Sequence, residues 1–100
     1  MRLNDQEKSI IRQAAISHFG EDSRILLFGS RADNEKKGGD IDLLIIPSTN
    51  MEPREIFQNK IAMLVDLELN LGIRNIDLLV EYAGDYRGIV KSAKMTGKVI

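Results

Sequence analysis

The sequence predicts an α/β (α+β) fold: one small domain over residues 1–100, built as a mixed β-sheet of three to four strands backed by helices. Three observations predict it. Short apolar runs end abruptly at glycine or proline, as buried strands do. Longer segments carry apolar residues at helical spacing between capping residues and a terminal glycine. The two kinds of segment follow in the order helix, strand, strand, helix, strand, helix, with no repeat, linker or low-complexity tract.

The first helix starts near Asn4 or Asp5, either of which can cap it, and Glu7 stands three positions after Asn4 as in a capping box. Ile10, Ile11, Ala14, Ala15 and His18 form its stripe, and Gly20 supplies the stop. Arg24 to Phe28 is a buried strand that ends at Gly29-Ser30, and the polar stretch from Ala32 to Gly39 is a loop. Ile41 to Ile46, closed by Pro47, is the second strand. Ser48, Thr49 and Asn50 offer caps for a helix that starts near Pro53. Phe57, Ile61, Leu64, Val65 and Leu71 are expected on its inner face, with Gly72 past its end. Asn75 to Val80 is the third strand. Asp85 is the expected cap of a last helix carrying Ile89, Val90 and Ala93, which stops at Gly97, and Val99-Ile100 can add a short terminal strand.

Composition excludes several functions. There is no cysteine, so disulfides, thiolate nucleophiles and Cys-ligated zinc are ruled out, and the single histidine excludes sites that need two imidazoles. Lys and Arg number 14 against 15 Asp and Glu, so bulk electrostatics predict no nucleic-acid binder. The polar start is no signal peptide and no apolar run approaches a membrane span. A soluble, cytoplasmic location is the expectation.

The chemistry-bearing residues stand at strand ends. Asp40 and Asp42 open the second strand, where side chains two apart share a face with α-carbons roughly 6.5 Å apart. Two carboxylates about 4 Å apart repel by roughly 4 kcal/mol at an effective dielectric near 20. Such a pair must take a proton, separate into water or bind a cation. Asp42 lies within an apolar run, where a charge is costly unless paired or liganded, and Asp77 repeats the pattern in the third strand. With too few cations in those strands to neutralise them, three strand aspartates favour a metal, and Asp40 and Asp42 offer the carboxylates that magnesium takes together with substrate phosphates. Gly29, lacking a Cβ, lets the backbone approach a phosphate, and Ser30 supplies a hydroxyl donor. Arg31 can pair either with phosphate or with a structural carboxylate. Lys36 and Lys37 read as solvated loop charges, His18 as helix-edge packing, and Tyr82 and Tyr86 as core and surface packing rather than a nucleobase clamp. An aspartate-nucleophile phosphatase also begins with Asp-x-Asp. It needs a hydroxyl residue two positions after the second aspartate, where this chain has Leu44.

Taken jointly, Leu27-Phe28-Gly29-Ser30-Arg31-Ala32, Gly39-Asp40-Ile41-Asp42-Leu43-Leu44 and Ile76-Asp77-Leu78 resemble the signature of the polymerase-β-type nucleotidyltransferases. The small variant that the chain resembles over essentially its whole length is the minimal nucleotidyltransferase (MNT) family, including its MntA-like antitoxins. The resemblance implies a nucleotidyltransferase fold, with Gly29 and Ser30 holding the triphosphate tail, and Arg31 beside them is expected to bind the nucleotide too. It implies that Asp40, Asp42 and Asp77 are catalytic and bind two magnesium ions, Asp77 also orienting or deprotonating the acceptor hydroxyl. The implied reaction moves a nucleoside monophosphate, AMP first among them, from ATP or another nucleoside triphosphate to that hydroxyl. Nine residues separate Ser30 from Asp40, one fewer than the commoner spacing of that family, and Gly39 stands where serine is frequent.

Relatives of this size often act as the antitoxin of a helical HEPN-type partner protein by adenylylating it. The chain leaves no length for a separate acceptor-binding domain, so acceptor recognition is expected from a partner or an exposed face, with a homo-oligomer also open. The alternative expectation is a non-catalytic module of the same fold that neutralises its partner by contact.

Overall fold

The computed structural model describes residues 3–28, 41–72 and 75–100. Its elements are α1 (Asp5–Phe19), β1 (Arg24–Phe28), β2 (Ile41–Ile46), α2 (Pro53–Leu71), β3 (Ile76–Val80), α3 (Gly88–Thr96) and β4 (Lys98–Val99). The expected order of elements is the observed one.

The caps explain the boundaries. Asn4 is extended, its side chain accepts from the Glu7 N–H at 2.7 Å, and the Glu7 carboxylate accepts from the Asn4 N–H at 3.0 Å. α1 therefore begins with two of its orphan donors satisfied. It ends at Gly20, whose φ of 106° is strained for any residue with a Cβ. A Cβ at Gly20 would also run into the Ser48 side chain. Ser48 thus does not cap α2, as the sequence suggested. Its hydroxyl donates to the Phe19 carbonyl at 3.2 Å and accepts from the Asp22 N–H at 3.1 Å, tying the end of β2 to the turn after α1. The residue that precedes α2 is Glu52, whose N–H donates to Glu55 Oε1 at 3.4 Å, and Pro53 supplies the pre-set φ of the first helical position.

The sheet has the order β3-β2-β1-β4. β1 pairs antiparallel with both β2 and β4, while β2 and β3 are parallel and joined through α2. Strand side chains alternate between two cores. Ile25, Leu27, Ile41, Leu43, Ile45, Leu78 and Val80 face α1 and α2 in the larger one. Leu26, Phe28 and Leu44 face Val90 and Ala93 of α3 in the smaller one, with Ile46 and Leu79 at its edge. Both faces of β2 are covered, so it reads as an unbroken apolar run apart from Asp42.

The inner face of α2 differs from the expected one. Met63 and Leu67 are fully buried, with Ile56, Leu64 and Leu71 packed beside them. Phe57, Ile61 and Val65 are exposed. The helix is apolar on two adjoining arcs, and periodicity alone could not tell which one the sheet would cover. His18 is not merely edge packing either: it is half-buried, and its Nε2 lies 3.2 Å from Asp66 Oδ2, linking α1 to α2.

Candidate active site

Parallel pairing of β2 with β3 puts Asp42 opposite Asp77 in register, one position along from the Ile41–Ile76 pair. Register partners on neighbouring strands stand about 4.8 Å apart along the hydrogen-bonding direction and point to the same face. That face is the α3 side, because Asp42 alternates in phase with Leu44, and Asp77 with Leu79. Asp42 is half-buried and Asp77 exposed. On its other side Asp42 is the register partner of Phe28, the last residue of β1. The strand end that leads into Gly29-Ser30 is therefore directly across from the first of these two aspartates.

Both aspartates open into a cleft of about 880 Å³ whose wall includes Phe28, Lys60, Ile89, Ser92 and Thr96. α3 closes one side. Its hydroxyl residues fall on one face four apart, and Thr96 Oγ1 donates back to the Ser92 carbonyl at 2.8 Å. α2 contributes Lys60 from the arc it turns inward. The cleft is thus lined by two carboxylates, one lysine from α2 and hydroxyls on the opposing helix. Those are the groups needed to hold cations, phosphates and an acceptor hydroxyl together.

The start of α3 is set by a polar knot in the turn after β3. The Asp85 side chain, fully screened from solvent, takes a bidentate ion pair from Arg87, at 2.7 Å from Nη2 and 3.0 Å from Nε. Arg87 Nη2 also donates to the Val80 carbonyl at 2.9 Å, and its guanidinium lies 5.0 Å from the centroid of the Tyr82 ring. The side-chain hydrogen bonds from Arg87 lower the Asp85 pKa from 3.8 to about 2, and Asp85 in turn raises that of Arg87. Asp85 is therefore not the helix cap that was expected. The N-cap is Arg87, and Asp85 acts two residues earlier by gripping that arginine's side chain and N–H. Tyr82 and Tyr86 are both exposed, so neither packs in the core.

Of the residues singled out in the sequence, Asp42 and Asp77 are brought together. Asp40, Gly29, Ser30 and Arg31 lie outside the described residues, as do Lys36 and Lys37. Among the described residues no group of three or more His, Asp or Glu side chains gathers as a metal site, and the two that meet here are carboxylates suited to a hard cation. Sequence reading missed Lys60, Ser92 and Thr96. Lys60 carried a usable signal, since a lysine in phase with Ile56, Met63 and Leu67 has to extend its stem along the sheet edge. Nothing set Ser92 and Thr96 apart from other surface hydroxyls.

The family model described as nucleotidyltransferase domain matches residues 8–99. No curated protein matches the chain. Among the described residues no helix is long and apolar enough to cross a membrane.

Proposed function

Because the chain belongs to the nucleotidyltransferase domain family, and so to a class of proteins that transfer nucleoside monophosphates from nucleoside triphosphates, we propose that it is a magnesium-dependent enzyme that moves AMP from ATP to a hydroxyl on a partner protein. The observation that carries this reading is the pairing of Asp42 with Asp77 on one cleft, across from the end of β1.

In the proposed reaction the acceptor oxygen forms a bond to the α-phosphorus while the bond from that phosphorus to the pyrophosphate oxygen breaks. Asp77, exposed at the rim, is the carboxylate placed to orient the incoming hydroxyl and receive its proton. Asp42, deeper in the cleft, is positioned to hold a cation against the triphosphate, with Asp40 as its neighbour two residues earlier on the chain. Two bound magnesium ions would neutralise the phosphates and steady the attacking and leaving oxygens. Gly29, Ser30 and Arg31 are the proposed cradle for the triphosphate tail. Lys60 supplies a positive charge on the cleft wall for an outer phosphate or the departing pyrophosphate.

Resemblance to the MNT family makes a helical HEPN-type toxin the proposed acceptor, with this chain as its cytoplasmic antitoxin. The test is incubation of the chain with labelled ATP, magnesium and a co-encoded helical protein, comparing wild type with Asp77→Asn. Label on the partner with wild type alone supports the proposal. Equal labelling by both proteins, or none with either, removes the catalytic assignment.

A further inference from the structure

α2 carries two apolar arcs, and the fold uses only one of them. The unused arc is the row Phe57, Ile61, Val65 and Leu69, 62%, 46%, 52% and 79% exposed. Residues four apart form a continuous ridge about 18 Å long, and ridges of this kind pack into the grooves of a second helix. Single exposed apolar residues need no explanation, but four in line on one helix do.

We propose that this ridge is the interface of a homodimer in which α2 of one protomer packs antiparallel on α2 of the other, centred on Ile61. The charges on the ridge single out a second copy of this chain. Arg54 and Glu68 lie seven residues to either side of Ile61, which puts both almost in line with it, about 10.5 Å away along the axis in each direction. Both are exposed, and among the described residues neither has an ion-pair partner. A two-fold axis through Ile61 sets Arg54 against the partner's Glu68 and Glu68 against the partner's Arg54. The same axis sets Phe57 against the partner's Val65 and Ile61 against its own copy. A parallel arrangement would instead oppose Arg54 to Arg54 and Glu68 to Glu68. The face is thus complementary to itself in one orientation, which is what a closed two-fold interface requires. The proposal is independent of the catalytic reading, because the ridge contains neither aspartate of the cleft.

Sedimentation equilibrium of the full chain, from micromolar to sub-millimolar concentration, tests it. Wild type is expected to pass from monomer to dimer. Ile61→Glu, at the axis, should remain monomeric throughout. Arg54→Glu and Glu68→Arg should each weaken the dimer by roughly five- to tenfold, and the double swap should restore it. Circular dichroism of each variant in dilute solution should match wild type, and the charge swap keeps the test valid if Ile61→Glu fails to fold. A wild type that stays monomeric overturns the proposal. So does a dimer indifferent to Ile61→Glu, a double swap no better than the worse single reversal, or a ridge that binds only a different protein.

Discussion

Asp42 and Asp77 face one another across the parallel β2–β3 ladder, two carboxylates far apart in the chain that share one rung of the sheet. A one-residue slip of β3 would turn Asp77 toward α1 and α2 and put Leu78 on the α3 face in its place. The register is held because Leu78 and Val80 are buried on the opposite face, and the same pattern that buries them presents Asp77. Core packing and site geometry are therefore a single constraint.

Replacing Asp77 by Asn should reduce nucleotidyl transfer by at least about a hundredfold while leaving the melting temperature within about 4 °C of wild type. The side chain is exposed, so little of the fold rests on it. Turnover and thermal melting measured on the same preparation check this. A large fall in melting temperature with activity retained would mark a structural residue.

Gly20→Ala should destabilise the domain by about 2 kcal/mol or more, a fall of roughly 10 °C in melting temperature. Two costs combine: a positive φ of 106° and a clash with Ser48. Adding Ser48→Ala should recover only the part due to the hydroxyl, since the backbone strain and the contact with the Cβ of residue 48, at 2.8 Å, both persist. Calorimetry of the single and double variants measures the hydroxyl's share.

Met63→Ala and Leu67→Ala should each cost about 2–5 kcal/mol, whereas Leu69→Ala, measured in dilute solution, should cost less than about 0.5 kcal/mol. The first two side chains are fully buried and the third is 79% exposed. Denaturant unfolding monitored by circular dichroism reads the difference directly, and an inverted order would mean that α2 is rotated from the orientation described.

The Asp85–Arg87 pair gives stability a definite acid dependence. The Asp85 pKa is lower in the folded chain, about 2 against 3.8. Its contribution is therefore complete above pH 3.8 and is lost as the pH falls from there toward 2. Asp85→Asn should be less stable than wild type at neutral pH, and the two curves should converge between about pH 4 and pH 2. Urea midpoints taken across that range decide it, and parallel curves would show that the pair contributes nothing through ionisation.

The sequence by itself determined the order of the elements and most of their limits, because the signals are local. Asn4 with Glu7, Gly20, Pro53, Gly72 and Gly97 are read over a few bonds of backbone, and each stands at an observed helix boundary. The aspartates were legible for a similar reason: a carboxylate in an apolar strand is conspicuous wherever the chain leads. Tertiary structure alone decided the rest. Which apolar arc of α2 meets the sheet, why Ser48 serves Phe19 and Asp22 rather than α2, how Asp85 grips Arg87, and that Lys60 and Ser92 share a cleft with Asp42 all depend on segments distant in sequence. Contacts of that kind are settled by the mutual fit of whole faces. Only the assembled sheet and helices define those faces.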